Sequence, residues 1–368
     1  KIILSGGGTG GHIYPAIAIA NACKKRWPDA QCLFVGAESR MEMQKVPEAG
    51  FEIQGLPIVG LYRKALHKNI SVALKLFQSL KKSKKIIRDF QPDIAIGTGG
   101  FASGPLLWVA AKNQIPTLIQ EQNSYAGITN KLLSKKANTI CVAYPGMEAY
   151  FPKDKIILTG NPVRSDLIDT EQFRSEAQSY FNLNPQQKTL LVLGGSLGAR
   201  AINECISAHS EFFKTHNLQL IWQCGKLYYE RLKQQHEPHE NIQILPFIKP
   251  MHLAYAAADF IISRAGAGTI SELALVKKPV LFIPSPNVAE NHQLKNAKAV
   301  AQTGAAQFVE EHLLKDLFQK CVQEMLQDKS LAEKSQLGFS SLAKPDATEQ
   351  IVDAIQRLLT QKTTHHAR

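Results

Sequence analysis

Residues 259–276 read DFIISRAGAGTISELALV, and this stretch decides the fold. Asp259 to Ser263 is a short apolar run rich in Phe and Ile, the pattern of a buried strand. Arg264-Ala265-Gly266-Ala267-Gly268 breaks it with small residues, which let the backbone turn tightly and approach another group. Thr269 to Val276 resumes at helical spacing, with Thr269 and Ser271 able to cap the new helix. A glycine-rich turn feeding a helix N-terminus presents free N–H groups and a positive dipole end, a natural seat for phosphate. Glu272, placed in the first turn, can accept hydrogen bonds from two neighbouring sugar hydroxyls. Phosphate seat and diol acceptor together point to a nucleotide or nucleotide-sugar. Taken alone, the stretch also fits a tight strand-to-helix turn with a helix-stabilising Glu.

The same unit recurs along the chain. Lys1 to Ser5 is a strand, GGGTGGH (6–12) follows it directly, and Ile13 to Arg26 is apolar at helical spacing. The loop is not GxGxxG with an acidic residue about 20 positions on, nor GxxxxGK[ST], so dinucleotide and P-loop readings lose ground. QCLFVG (31–36), a helix near 72–89, DIAIG (93–97), a second glycine loop GTGGFASGP (97–105), PTLIQEQ (116–122), TICVAY (139–144) and KIILTG (155–160) continue the alternation. NPVRSDL (161–167) is rich in turn formers and reads as a hinge. TLLVLGGSLGAR (189–200) then restarts the pattern, and QLIWQCG, IQILPF, DFIISRAG, PVLFIPSP and AAQFVEE supply further strands. Strand–helix alternation demands crossover connections, so the expected fold is α/β with two Rossmann-like parallel sheets. Ligands of such sheets bind beyond the carboxyl ends of the strands, where all the glycine loops lie, and two such domains are expected to face across a cleft. The expected domains are residues 1–160, residues 161–345, and a C-terminal helix in 346–368 that packs back on the first domain.

Composition narrows the class. The chain has 368 residues, 44% hydrophobic and 20% charged, as a soluble globular protein of about two domains has. No apolar run reaches the ~20 residues that span a bilayer, and the opening KIILSGGGTGG is too short in apolar residues for a signal peptide. Six cysteines are scattered without a CxxC pair, as expected of reduced, buried thiols. Residues 1–165 hold 22 Lys and Arg against 10 Asp and Glu, whereas the rest of the chain holds 21 of each. The whole excess of +12 lies in the first half, which must either tolerate its own repulsion or face something acidic: nucleic acid, anionic lipid or a polyphosphate substrate. No aromatic-interleaved basic strand or nucleic-acid module accompanies it, so no nucleic-acid partner is expected. No DxD occurs, and no metal or other cofactor is expected. His236 and His239 (HEPHE) are read as a solvated loop.

GGGTGGH (6–12), GTGGFASGP (97–105), QEQN (120–123), GNPVR (160–164), GGSLGAR (194–200), SRAGAGTISE (263–272) and ENHQLKNA (290–297) occur in this order. Together they resemble the MurG family of peptidoglycan glycosyltransferases, from Ile2 to about Leu359. The resemblance implies a GT-B fold and an inverting, metal-independent transfer of N-acetylglucosamine from UDP-N-acetylglucosamine to lipid I, an undecaprenyl-diphosphate-linked muramyl peptide. It also implies peripheral attachment to the cytoplasmic face of the membrane. Carried over motif by motif, it assigns Ser196 and Arg164 to the diphosphate, and Ala267, Gly268, Thr269, Ile270, Ser271 and Glu272 to diphosphate and ribose. It assigns the backbone of Ile248 to the uracil edge, and Gln293 and Asn123 to the sugar hydroxyls, with Thr9, Gly10 and Gly11 in the loop over them. His292 stands where some relatives have a second glutamine, so sugar contacts are shared differently here. The bland alternatives are a surface ion pair for Arg164 and a turn-forming role for Asn123.

His12 ends the first glycine loop, and histidine titrates near neutrality, so it is the candidate general base, with Glu121 as its rival. Residues 60–88 carry nine Lys and Arg and no acid. This stretch reads either as a core-facing helix with a solvated basic face or as a dock for an anionic membrane surface. In the second reading Leu61, Tyr62 and Leu66 dip between headgroups and Lys64, Lys68, Lys81 and Lys82 surround them. Another nucleotide-sugar enzyme of the same architecture, a glycolipid glycosyltransferase or a UDP-sugar 2-epimerase, is the alternative function.

Overall fold

A computed structural model describes residues 1–60, 69–163, 165–195, 197–236, 241–288 and 291–366. The chain divides into two compact units, Lys1–Val163 with Asp346–Arg368, and Arg164–Pro345. Each is built on its own all-parallel sheet.

Unit 1 contains β1 (Ile2–Gly6), β2 (Cys32–Ala37), β3 (Glu52–Leu56), β4 (Ile94–Gly99), β5 (Thr117–Glu121), β6 (Thr139–Val142) and β7 (Ile156–Leu158), in the order β3-β2-β1-β4-β5-β6-β7. Every residue of β1, β4 and β5 is buried. Helices cover both sheet faces, which is why these strands read as unbroken apolar runs and not as alternating ones. Unit 2 contains β8 (Lys188–Leu193), β9 (Leu218–Gln223), β10 (Ile242–Leu245), β11 (Phe260–Ser263), β12 (Val280–Phe282) and β13 (Ala306–Phe308), in the order β10-β9-β8-β11-β12-β13. In both sheets the strand order reverses once, between β1 and β4 and between β8 and β11. Those reversals are the topological switch points at which such sheets bind ligands.

The last helix, Ala347–His366, belongs to unit 1. Ile351, Val352, Ala354, Ile355 and Leu358 recur at helical spacing and pack with Ile13, Ile17, Phe34 and Ile96 in one buried cluster. The guanidinium of Arg26 reaches Glu349 at 3.0 Å and Asp353 at 3.1 Å, and the Thr348 hydroxyl donates to the Val163 carbonyl at 3.1 Å. Arg26 and both acids are substantially exposed, so the apolar face, not the ion pairs, holds the helix. Burial pushes the Cys23 and Cys141 thiols up to about 12, so they remain protonated packing groups.

Ile355 is fully buried, and its truncation leaves a cavity. Ile355→Ala is expected to destabilise unit 1 by about 2–5 kcal/mol in urea unfolding. A change below about 0.5 kcal/mol, the size of an ordinary surface substitution, would mean that the helix does not belong to this core.

Candidate active site

In unit 1 the chain leaves β1 through Gly7 and Gly8 and enters the helix Gly10–Arg26. The Gly7 N–H donates to the Gly99 carbonyl (3.3 Å), and the Gly8 N–H donates to the buried Glu42 carboxylate (3.0 Å). The other Glu42 oxygen accepts the Ala37 N–H at 2.9 Å. The glycine loop is thus braced from within up to Gly8. The helix start at Thr9, Gly10 and Gly11 has no side-chain cap and no acid in its first turn, as an anion-receiving helix end requires. The loop after β4 presses against this one: at Gly100, with φ +83°, a Cβ would lie 2.3 Å from the Gly7 carbonyl oxygen.

His12 is the third residue of that helix and is half-buried, with Nδ1 3.0 Å from Gln122 Oε1. Glu121 ends β5 and is buried. Its Oε1 accepts the Asn123 N–H (3.1 Å), and its Oε2 accepts the Gly127 N–H (3.0 Å) and Asn130 Nδ2 (2.9 Å). Both carboxylate oxygens are therefore engaged in shaping the loop 122–127, and the half-buried Asn123 sits on that loop.

In unit 2 the loop after β8 turns through Gly194, Gly195 and Gly198 into the helix Arg200–Ala208. At Gly198, with φ +79°, a Cβ would fall 2.1 Å from the Cys224 carbonyl oxygen, so only glycine lets the loop lie on the end of β9. The loop after β11 feeds the helix Ala267–Val276, whose N-cap is Gly266. This corrects the sequence reading in two respects. Thr269 and Ser271 lie inside the helix and do not cap it, and the Ser271 hydroxyl donates back to the Ala267 carbonyl at 3.0 Å. Glu272 consequently falls in the second turn, where the buried Tyr255 hydroxyl donates to its Oε2 at 2.9 Å. The helix start, with Ala267, Gly268, Thr269 and Ile270, has no side-chain cap.

A cavity of about 530 Å³ opens at the carboxyl ends of β8, β11 and β12, lined among others by Gly194, Gly198, Arg200, Arg264, Ser285 and Gln293. Gln293 accepts the Ser285 N–H at 2.9 Å, which holds the loop after β12. Arg264 donates to the Ile283 carbonyl (2.9 Å) and pairs with Glu311 (2.6 Å), and Arg200 pairs with Glu204 (2.7 Å). The two arginines were legible in principle, since each stands within a glycine motif, yet motif matching passed over them. Ile248 is buried outside this lining. Its N–H donates to Gln223 Oε1 (2.9 Å), while Gln223 Nε2 donates to the Gly195 carbonyl (3.1 Å).

Arg164 and Ser196 lie outside the described residues, as do Leu61, Tyr62, Lys64, Leu66, Lys68 and His239. His236 is a correction: it ends the helix Tyr229–His236, is 5% exposed, meets the Ser207 hydroxyl at 2.7 Å and stands edge-on to Trp222. It is a satisfied core histidine and not part of a solvated loop.

Two Rossmann-like units with paired glycine loops beyond the strand ends are the GT-B architecture, whose members handle nucleotide-sugars. The glycosyltransferase family 28 N-terminal domain matches residues 2–142 and the family's C-terminal domain matches residues 189–358. The UDP-N-acetylglucosamine–N-acetylmuramyl-(pentapeptide) pyrophosphoryl-undecaprenol N-acetylglucosamine transferase of Flavobacterium psychrophilum is 56% identical over 98% of each chain. The enzyme of that name from Bacteroides fragilis is 51% identical over 98% of this chain and 96% of its own. The crystal structure of Acinetobacter baumannii MurG is 28% identical, covers 97% of this chain and 99% of its own, and superposes with a TM-score of 0.75. A UDP-N-acetylglucosamine 2-epimerase from Neisseria meningitidis shares the fold at 14% identity, over 97% of this chain and all of its own, with a TM-score of 0.67. The chain belongs to glycosyltransferase family 28, in its MurG branch, and is a hexosyltransferase.

Proposed function

We propose that this chain transfers N-acetylglucosamine from UDP-N-acetylglucosamine to the 4-hydroxyl of the muramyl sugar of lipid I, forming lipid II for peptidoglycan synthesis. The observation that carries this reading is 56% identity, over nearly the whole of both chains, to a protein named for that transfer. The epimerase likeness, at 14% identity, speaks for the fold alone.

The donor binds unit 2. The uncapped start of the helix Ala267–Val276 receives the diphosphate with Ser196 and Arg164, and Glu272, oriented by Tyr255, takes the ribose hydroxyls. The Ile248 carbonyl reads the uracil edge, its N–H being held by Gln223. Gln293 takes the sugar hydroxyls, and Asn123, Thr9, Gly10 and Gly11 are the unit 1 residues assigned to sugar recognition. The acceptor hydroxyl displaces UDP directly at the anomeric carbon, inverting α to β. Fixed dipoles and Arg164 stabilise the charge growing on the leaving diphosphate, without a metal ion. His12 takes the acceptor proton. Glu121 is assigned to shaping the loop, because both its oxygens already accept bonds from loop donors.

Unit 1 docks on the anionic membrane surface at the cytoplasmic face of the cell membrane. Among the described residues no helix is long and apolar enough to cross a membrane. The helix Asn69–Phe90 buries Val72, Ile86 and Ile87, while Ile70, Leu74 and Phe77 are 73%, 63% and 70% exposed. These three recur at helical spacing, and Lys81, Lys84 and Arg88 continue the same exposed stripe. Such a stripe places apolar side chains among acyl chains and cations among headgroups, each cation contributing about 1 kcal/mol. Lys82 is engaged otherwise, pairing with Glu38 at 2.9 Å.

Glu272→Ala is expected to weaken UDP and UDP-N-acetylglucosamine alike, by about 10- to 100-fold, as loss of charged hydrogen bonds predicts. Gln293→Ala is expected to spare UDP and weaken only the sugar nucleotide. Equal losses of UDP affinity in calorimetry of the two variants would contradict this division.

Membrane docking is tested by co-sedimentation with anionic vesicles at physiological salt. Ile70, Leu74 and Phe77 all changed to Ser, or Lys81, Lys84 and Arg88 all changed to Glu, are each expected to reduce binding at least about tenfold. Wild-type binding by both triple variants would remove this surface.

A further inference from the structure

We propose that Gln122 is a positioning residue that holds His12 in the tautomer protonated on Nδ1, leaving Nε2 as the proton acceptor. The proposal rests on the reading of His12 as general base and adds which nitrogen acts and what selects it.

The assignment comes from hydrogen-bond direction. Gln122 is 2% exposed, and the two hydrogens of its Nε2 are shared among the Thr98 carbonyl (2.7 Å), the Gln120 carbonyl (3.1 Å) and Gln120 Oε1 (2.5 Å). Rotating the amide by half a turn would set its oxygen against three acceptors, so the orientation is fixed. Its Oε1 therefore faces His12 Nδ1 at 3.0 Å. An amide oxygen only accepts, and a neutral imidazole carries its proton on one nitrogen, so Nδ1 is the donor.

The neighbouring amides enforce the same sense. Gln120 Nε2 donates to Asn161 Oδ1 (3.0 Å), and Asn161 Nδ2 donates to the Gln122 carbonyl (3.1 Å). Gln120 is fully buried and Asn161 is 3% exposed, so each amide depends on the others for its partners. Thr98 and Gly99 hold the residue as well. The Thr98 hydroxyl donates to the His12 carbonyl at 2.7 Å, and a Cβ at Gly99 would lie 2.9 Å from the imidazole. Among the described residues His12 Nε2 has no hydrogen-bond partner. A network spanning the ends of β4 and β5 and the segment at Asn161 thus fixes both the rotation and the proton of a side chain on another element.

The test is imidazole nitrogen NMR of the full chain labelled with ¹⁵N-histidine, the His12 signals being assigned by their loss in His12→Asn. The wild type is expected to show a protonated Nδ1 and an unprotonated Nε2 for neutral His12. Gln122→Leu is expected to mix or reverse that pattern. It should also lower kcat by about 10- to 100-fold, part of the ~10²–10⁴-fold that a positioned base contributes, with KM for the sugar nucleotide little changed. A wild-type spectrum with the proton on Nε2 overturns the proposal without need of any folded Gln122 variant. So does a folded Gln122→Leu that keeps both the tautomer and kcat. Normal turnover in His12→Asn overturns the base reading itself, whichever tautomer the spectrum shows.

Discussion

At the carboxyl end of each sheet two backbone segments meet, and they can do so only where no side chain intervenes. A Cβ at Gly100 would lie 2.3 Å from the Gly7 carbonyl oxygen, and one at Gly198 would lie 2.1 Å from that of Cys224. These contacts let the loops after β1 and β4 share one site in unit 1, and they seat the loop after β8 on the end of β9 in unit 2. The placement of His12 against Gly99, and of the β8 loop beside Arg264, follows from that approach. Side chains at these glycines would separate the loops and scatter the groups they carry.

Around that constraint, polar groups are used in two distinct ways. Buried amides and carboxylates with each polar atom engaged, such as Glu42, Glu121, Gln122 and Gln223, fix loops from behind. Helix starts without side-chain caps, at Gly10 and Ala267, keep N–H groups for a ligand. The first kind rigidifies the frame, and the second is the kind of helix end proposed here to seat the donor's diphosphate. Glu272 joins the two, since Tyr255 holds one end of a carboxylate proposed to meet the ribose.

Most of the frame is legible in the sequence because parallel strands covered on both faces read as plain apolar runs, and each glycine loop marks a strand's carboxyl end. The last helix shows an apolar face in the spacing of Ile351, Val352, Ile355 and Leu358, but which unit that face joins comes only from its packing. What escapes is whatever depends on a neighbour. Gly266 and Gly268 look like loop, so the helix was expected to start near Thr269, but it starts at Ala267 and carries Glu272 into its second turn. HEPHE looks solvated because its composition is polar, yet His236 is turned inward against Trp222. Periodicity reveals a stripe at Ile70, Leu74 and Phe77 without saying that it is left exposed among the described residues. Arg200 and Arg264 gain meaning only from the cavity they line.

Transfer to a lipid-linked acceptor is open to direct product analysis. The chain is incubated with labelled UDP-N-acetylglucosamine in chelator, with and without a lipid I analogue. The account predicts a β-linked disaccharide on the lipid and release of UDP when the acceptor is present, and an unchanged sugar nucleotide when it is absent. Epimerised sugar without acceptor, or no disaccharide with it, would contradict the account.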